Sequence, residues 1–285
     1  MHVLFHDAGG NAISSEDIFN ALKLVGADDC ETLFIHSDIM FGTLKTGIRR
    51  KELLNAIHEQ VACLGVKNII IPTFTYSFPN NEVYNITTSK TSMGAYNEFV
   101  RKQEGRFRTD DPLLSVSVPL SLKSEFDHIS NHSLGEGSAL DVLHHLDDVK
   151  FLFFGAEMAE CFTYVHYVEK IMDVPYRFDM PFEGDVIYPN GEIVHRKQFI
   201  HTQCYGVKLP PKYNRFEKEM EENGYLKKKL VGEKFISCIS EKDAYREIKR
   251  HIEENIYYYL DKPFEEKDLI HKYTYNTENG RITHC

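Results

Sequence analysis

The chain has 285 residues, 42% hydrophobic and 27% charged, which excludes collagen, coiled coil, membrane bundle and disordered classes and leaves a globular enzyme. Its 43 acidic against 33 basic side chains give a net charge of -10, so no cation surplus exists to neutralise a nucleic-acid backbone. Six cysteines (Cys30, Cys63, Cys161, Cys204, Cys238, Cys285) lie apart with no CxxC pair, which reads as free thiols in a reducing cytoplasm. No apolar run reaches the ~18 residues of a spanning helix, and the opening residues carry no targeting pattern, so no membrane role is expected.

In chain order, Ser14 and Ser15 before Glu16 and Asp17 open a helix that ends at Gly26. A strand at 32–36, a helix at 51–64 and a second strand at 68–72 follow. The polar stretch 73–91 has little periodicity, and its length marks it as functional. Helical spacing returns at 92–103, then a short strand at 113–118, a short helix at 138–145 behind a Gly-rich turn, a buried strand at 149–154 and a helix at 161–171. Apolar runs alternating with amphipathic stretches predict an α/β protein with a largely parallel sheet. The strand ends at His36-Ser37, Thr73 to Thr75 and Gly155 to Glu160 are expected to face one crevice.

Beyond Pro175 the pattern is antiparallel: two β-rich runs within 184–201 meet across Pro189-Asn190-Gly191, a hairpin signal. Helices are expected at 214–223 and 241–260, with Lys227-Lys228-Lys229 between them as a solvated loop. The last fifteen residues read as polar and frayed. The expectation is a single domain over 1–285, with a hairpin insertion at 178–205 and a C-terminal helical segment at 206–285.

Chemistry concentrates first at His166 and Glu169, one helix face apart, with Thr163 a turn before them. A carboxylate there orients the imidazole and favours its protonated form, which suits a general base acting on an amine or hydroxyl; a surface ion pair is the plainer reading. Metal chemistry lacks the i,i+4 double-His spacing with a carboxylate that zinc hydrolases use, which His128, His132, His144, His145 and His201 do not supply. Cys161 sits near a helix start, and as a nucleophile it competes with a reading as a buried inert thiol. The turn Gly135-Glu136-Gly137-Ser138 suits an anion or a simple helix cap, and it matches neither dinucleotide nor P-loop spacing. Arg101, Arg106 and Arg108 beside Asp110 and Asp111 suit a phosphate clamp or internal pairing.

Taken together, TLFIHSDI (32–39), IIPTFTYSF (70–78), SMGAYNEFVRKQEGRFRTDDPLLSV (92–116), HSLGEGSALDVL (132–143) and VKFLFFGAEMAECFTYVHYVEKIMDVPYR (149–177) resemble the antibiotic N-acetyltransferase family, best known for aminoglycoside 3-N-acetyltransferases. The resemblance spans about half of the chain. It implies a three-layer α/β/α fold distinct from GNAT acetyltransferases, acyl-coenzyme A (acetyl or longer) as donor, direct transfer to a primary amine, no metal, and a monomer or homodimer. It makes His166 the base, with Glu169 and Thr163 beside it. Ser37, Thr73, Phe74, Thr75, Arg108, Ser115 and Gly135 to Ser138 would line the coenzyme A channel, with backbone near Ser37 or Thr73 to Thr75 as oxyanion donors. Asp38, Tyr76, Glu160 and Phe162 would meet the acceptor. Glu160-Cys161-Phe162 and Arg108-Thr109-Asp110-Asp111-Pro112 depart from resistance-type members, and the wording is similar to the branch acting on nucleotide-linked amino-dideoxy sugars of surface polysaccharides. Antibiotic resistance and a catalytically inactive coenzyme A-binding scaffold are the alternatives.

Overall fold

The apolar run at 149–154 forms a strand whose alternation decides the layering. Phe151 and Phe153 enter one hydrophobic cluster, and Leu152 and Phe154 enter another on the opposite face. A strand that is apolar on both faces must be covered on both. Each fully buried Phe or Leu contributes about 1.5–3 kcal/mol.

The computed structural model describes residues 2–272, and the rest of the polar tail lies outside them. The chain begins with β1 (Val3–His6), β2 (Ala12–Ser14), α1 (Ser15–Leu24), β3 (Thr32–Ser37), β4 (Thr43–Leu44), α2 (Arg50–Ala62) and β5 (Asn68–Pro72). It continues through β6 (Tyr84–Asn85), α3 (Gly94–Val100), β7 (Arg106–Arg108), β8 (Val116–Pro119), α4 (Lys123–Phe126), α5 (Ala139–His145) and β9 (Val149–Phe154). Then come α6 (Met158–Cys161), α7 (Tyr164–Ile171), β10 (Arg177–Ile187), β11 (Ile193–Gln203), α8 (Asn214–Glu222), β12 (Lys227–Val231), β13 (Lys234–Ser240) and α9 (Glu241–Glu254).

The central sheet has seven strands in the order β12-β13-β9-β3-β5-β8-β7. Helices α1 and α2 bury Ile18, Leu22, Leu53 and Ile57 on one face, while α5, α7 and α9 bury Leu143, Val165, Val168 and Ile248 on the other. The three-layer α/β/α architecture is therefore present, but the sheet is mixed rather than mostly parallel. Only the central β9, β3 and β5 are parallel; β13, β8 and β7 add antiparallel edges. Parallel pairing requires a crossover helix, which separates the three central strands but not the hairpin-linked outer ones.

Capping is local and legible in the sequence. Ser14 Oγ accepts from Asp17 N at 3.2 Å while Asp17 Oδ2 accepts from Ser14 N at 2.8 Å, a reciprocal capping box. The lysine run at 227–229 differs from its reading as a loop and forms edge strand β12, paired with β13. Charged side chains are a common guard on an exposed sheet edge. The C-terminal third thus completes the sheet as well as supplying helices. β10 and β11 pair over eleven residues each, and Tyr188 N donates to Glu192 O at 2.9 Å around a three-residue tip, longer than the two-residue turn that Asn-Gly suggests.

Candidate active site

Gly155 ends β9 beside the end of β3. Its φ is +76°, and a Cβ there would stand 2.1 Å from the Asp38 carbonyl oxygen, so only glycine allows the two strand ends to meet this closely. The chain then forms α6 and α7, which place Thr163 and His166 at the carboxyl end of the parallel strands, the side where open α/β sheets hold their ligands. Just past helix α7, Asp173 stands in the left-handed region at φ +49°, and Val174 N donates to Glu169 O at 3.2 Å. That reversal returns Tyr176 and Arg177 beneath the helix they have just left.

The outcome is a buried charge cluster. Glu169 is fully buried; its Oε2 lies 2.8 Å from His166 Nδ1 and 2.6 Å from Arg177 Nε, and its Oε1 accepts from Tyr176 OH at 2.9 Å. Burial pushes the carboxyl up, but the Arg177 charge and the His166 and Tyr176 hydrogen bonds outweigh it and hold it at about 2. Arg177 Nη2 also lies 2.9 Å from His166 Nδ1. Burial first, and then this guanidinium, push the imidazole below its ordinary value against the pull of Glu169. Glu169 thus pulls toward the imidazolium as expected, but burial and the Arg177 charge outweigh that pull.

His166 lines a cavity of about 400 Å³ together with Thr163, Phe162, Phe74, Tyr76 and Glu160. His36 and His201 also border it. Burial holds the His36 imidazole at about 3, and Asp179 Oδ1 lies 3.0 Å from His201 Nδ1. Thr163 Oγ1 makes only a weak 3.5 Å contact to Cys161 O. Cys161 donates to Glu157 O at 3.1 Å, and burial pushes its thiol up, which fits the inert reading rather than a thiolate. Among the described residues no three His, Cys, Asp or Glu side chains converge to hold a metal ion.

A profile of the aminoglycoside 3-N-acetyltransferase family matches residues 49–253. The chain belongs to that family. It is an acyl-coenzyme A-dependent N-acetyltransferase, with acetyl-coenzyme A as co-substrate. Among solved structures, the aminoglycoside acetyltransferase AAC(3)-IIb has TM-score 0.70 at 18% identity, covering 85% of this chain and 97% of that one. YokD from Bacillus subtilis has TM-score 0.68 at 17% identity, covering 90% and 96%. AAC-IIIb, in a binary structure with CoASH, has TM-score 0.68 at 16% identity, covering 88% and 99%. These likenesses show the fold. No match is found among curated protein sequences.

In this acetyltransferase, several residues expected along the coenzyme A channel do not border the His166 cavity. Thr73, Arg108 and Ser115 form a buried polar knot: Arg108 Nε donates to Thr73 Oγ1 at 3.1 Å, Arg108 Nη2 to Thr73 O at 2.7 Å, and Ser115 Oγ to Thr73 O at 2.8 Å. Thr73 N and Thr75 N donate to Ser115 O and Leu113 O, so neither amide is available to an oxyanion. Ser37 Oγ donates to Asn97 Oδ1 at 2.6 Å.

The Gly135 to Ser138 turn is a helix cap, as its plainer reading had it. Ser138 Oγ accepts from Asp141 N at 3.3 Å, and Gly137 N donates to Asp141 Oδ2 at 2.8 Å. A Cβ on Gly135 would stand 2.7 Å from Lys170 Cγ, and Glu136 is exposed. Asp38 pairs with Lys234 outside the cavity. Arg177, Tyr176 and His201 went unrecognised in the sequence, because no local spacing ties them to His166. Among the described residues no helix is long and apolar enough to cross a membrane.

Proposed function

We propose that the acceptor is the primary amine of a nucleotide-linked amino-dideoxy sugar, of the kind used in surface-polysaccharide assembly, and that His166 is the general base. The charge of the cavity carries the acceptor reading. Among the described residues bordering it, Glu160 is the sole carboxylate, and Lys212 pairs with it at 2.5 Å. Lys272 borders the same cavity, as does Arg177, whose charge is already paired with Glu169, and the aromatic walls come from Phe74, Phe162 and Tyr213. A polycationic aminoglycoside calls for several free carboxylates, whereas an acceptor carrying a diphosphate suits this lining.

With the Nδ1 hydrogen directed to the ionised Glu169, rather than Nδ1 accepting from Arg177 Nη2, neutral His166 keeps a lone pair on Nε2 for the amine proton. As that proton passes to Nε2, the amine nitrogen bonds to the thioester carbonyl carbon. The carbon–sulfur bond then breaks, and the departing thiolate takes a proton back from the imidazolium. Glu169, Arg177 and Tyr176 hold the ring in register, and Thr163 faces the reacting groups. Phe162, buried against Phe151 and Phe153, shapes the acceptor end of the cavity.

The second reading is an aminoglycoside acceptor. It is favoured by similar folds solved with a gentamicin, with apramycin and with sisomicin. Coenzyme A thiol release from acetyl-coenzyme A, measured with a panel of nucleotide-linked amino sugars and a panel of aminoglycosides, decides between them. Turnover of the sugar nucleotides in preference is expected; preferential turnover of aminoglycosides overturns the proposal.

A further inference from the structure

At the far end of the β10–β11 hairpin lies a second cavity of about 680 Å³, which shares no bordering residue with the one at His166. Arg177 at the base of β10 touches His166, while Tyr188, just past its last residue, borders the second cavity. Eleven strand residues at about 3.3 Å each place the two roughly 35 Å apart along the strand. Between the cavities, Arg108 of the second donates to Thr73 O, next to Phe74 of the first, so the buried polar knot is the wall that divides them.

The lining reverses the sign of the protein. On a chain of net charge -10, this cavity is bordered by Arg101, Lys102, Arg106, Arg108 and Lys123, against Asp110 and Asp127. Glu98 pairs with Arg101 and Lys102, and Asp110 is paired with Arg196 at 2.6 Å. Arg106 donates to Ile69 O and to Ser117, and Arg108 donates to the carbonyls of Thr73, Ile86 and Ser89. Among the described residues no carboxylate pairs with either guanidinium, and Lys123 rests over the Phe107 ring at 5.7 Å without an anionic partner. Buried or half-buried cations facing only neutral oxygens create a standing positive potential in a concave, low-dielectric place.

Phe107 and Tyr188 add aromatic surface to the same walls, with Ile86 and Pro189 beside them. A ligand with a planar ring and a compact anionic group satisfies both features, and the volume lies within the range of small-molecule sites. We propose that this second cavity binds a nucleoside diphosphate, separately from the acyl-transfer centre. The ring lies against Phe107 and Tyr188, and the phosphates meet Lys102, Lys123 and the inner arginines. The inference is independent of which acceptor the enzyme acetylates.

The test is calorimetric titration of the full chain, saturated with acetyl-coenzyme A, with adenosine diphosphate, thymidine diphosphate and pyrophosphate. A nucleoside diphosphate is expected to bind, more weakly as salt rises. The variant Lys102→Ala/Lys123→Glu, at exposed positions that leave the melting temperature unchanged, should lose at least about tenfold in that affinity, as removal of charge-assisted contacts predicts. Its acetyl-coenzyme A affinity should not move. No binding at millimolar ligand, binding indifferent to the double variant, or nucleotide binding seen only without acetyl-coenzyme A would each overturn the proposal. Pyrophosphate binding as tightly as either nucleotide would overturn the nucleoside assignment.

Discussion

Arg177→Met removes the counter-charge of a carboxylate that has no exposed surface and keeps the length of the side chain. Glu169 would retain Tyr176 and His166 but lose the guanidinium 2.6 Å away. Leaving one member of a buried pair uncompensated costs about 3–5 kcal/mol. Arg177→Met/Glu169→Gln, which removes both charges, should recover much of that loss, giving a coupling energy of at least about 1 kcal/mol in a double-mutant cycle. The same substitution removes a charge that depresses the His166 imidazole, so the acid limb of kcat/KM should move to higher pH. Urea unfolding at pH 7 measures the first effect, and thiol release across pH 5 to 9 the second. Strictly additive losses, or an acid limb that stays in place in a folded variant, would refute the account of Arg177 as the charge that keeps His166 neutral.

Replacing the base itself, His166→Asn should lower kcat by roughly 10²–10⁴-fold while calorimetry still finds wild-type acetyl-coenzyme A affinity. Stability should fall progressively in acid. His36, His166 and His201 have folded values below their unfolded ones, so the unfolded chain binds protons there more tightly, and stability complete above about pH 6.5 is lost as pH falls toward the folded value, about 3 for His36. Glu169 adds a further loss, overlapping the first, between its unfolded value of about 4.3 and its folded value of about 2; urea midpoints from about pH 8 to 2 follow both. Gly155→Ala forces a Cβ against the Asp38 carbonyl at a positive φ and should cost at least about 1–3 kcal/mol, read as a drop in Tm.

Much of this protein was decided along the chain. The Ser14 cap, the two-faced apolar strand at 149–154 and the i,i+3 spacing of His166 and Glu169 are local properties, set by helix and strand periodicity, and the structure reproduces them without help from distant residues. Pairing partners are another matter. The sequence reading places no strand at 234–240, where β13 runs antiparallel beside β9, and the lysines of β12 resemble a loop until the edge they guard is known. The residues of the candidate site divide in the same way. Thr163, His166 and Glu169 share one helix face, whereas Arg177 reaches Glu169 only because the chain reverses at Asp173, and Thr73, Arg108 and Ser115 satisfy one another only because β5, β7 and β8 are brought together in the sheet. Sequence spacing reports which side chains can share a face; which charges neutralise one another, and which polar groups are left facing a cavity, depends on contacts that only the assembled fold creates.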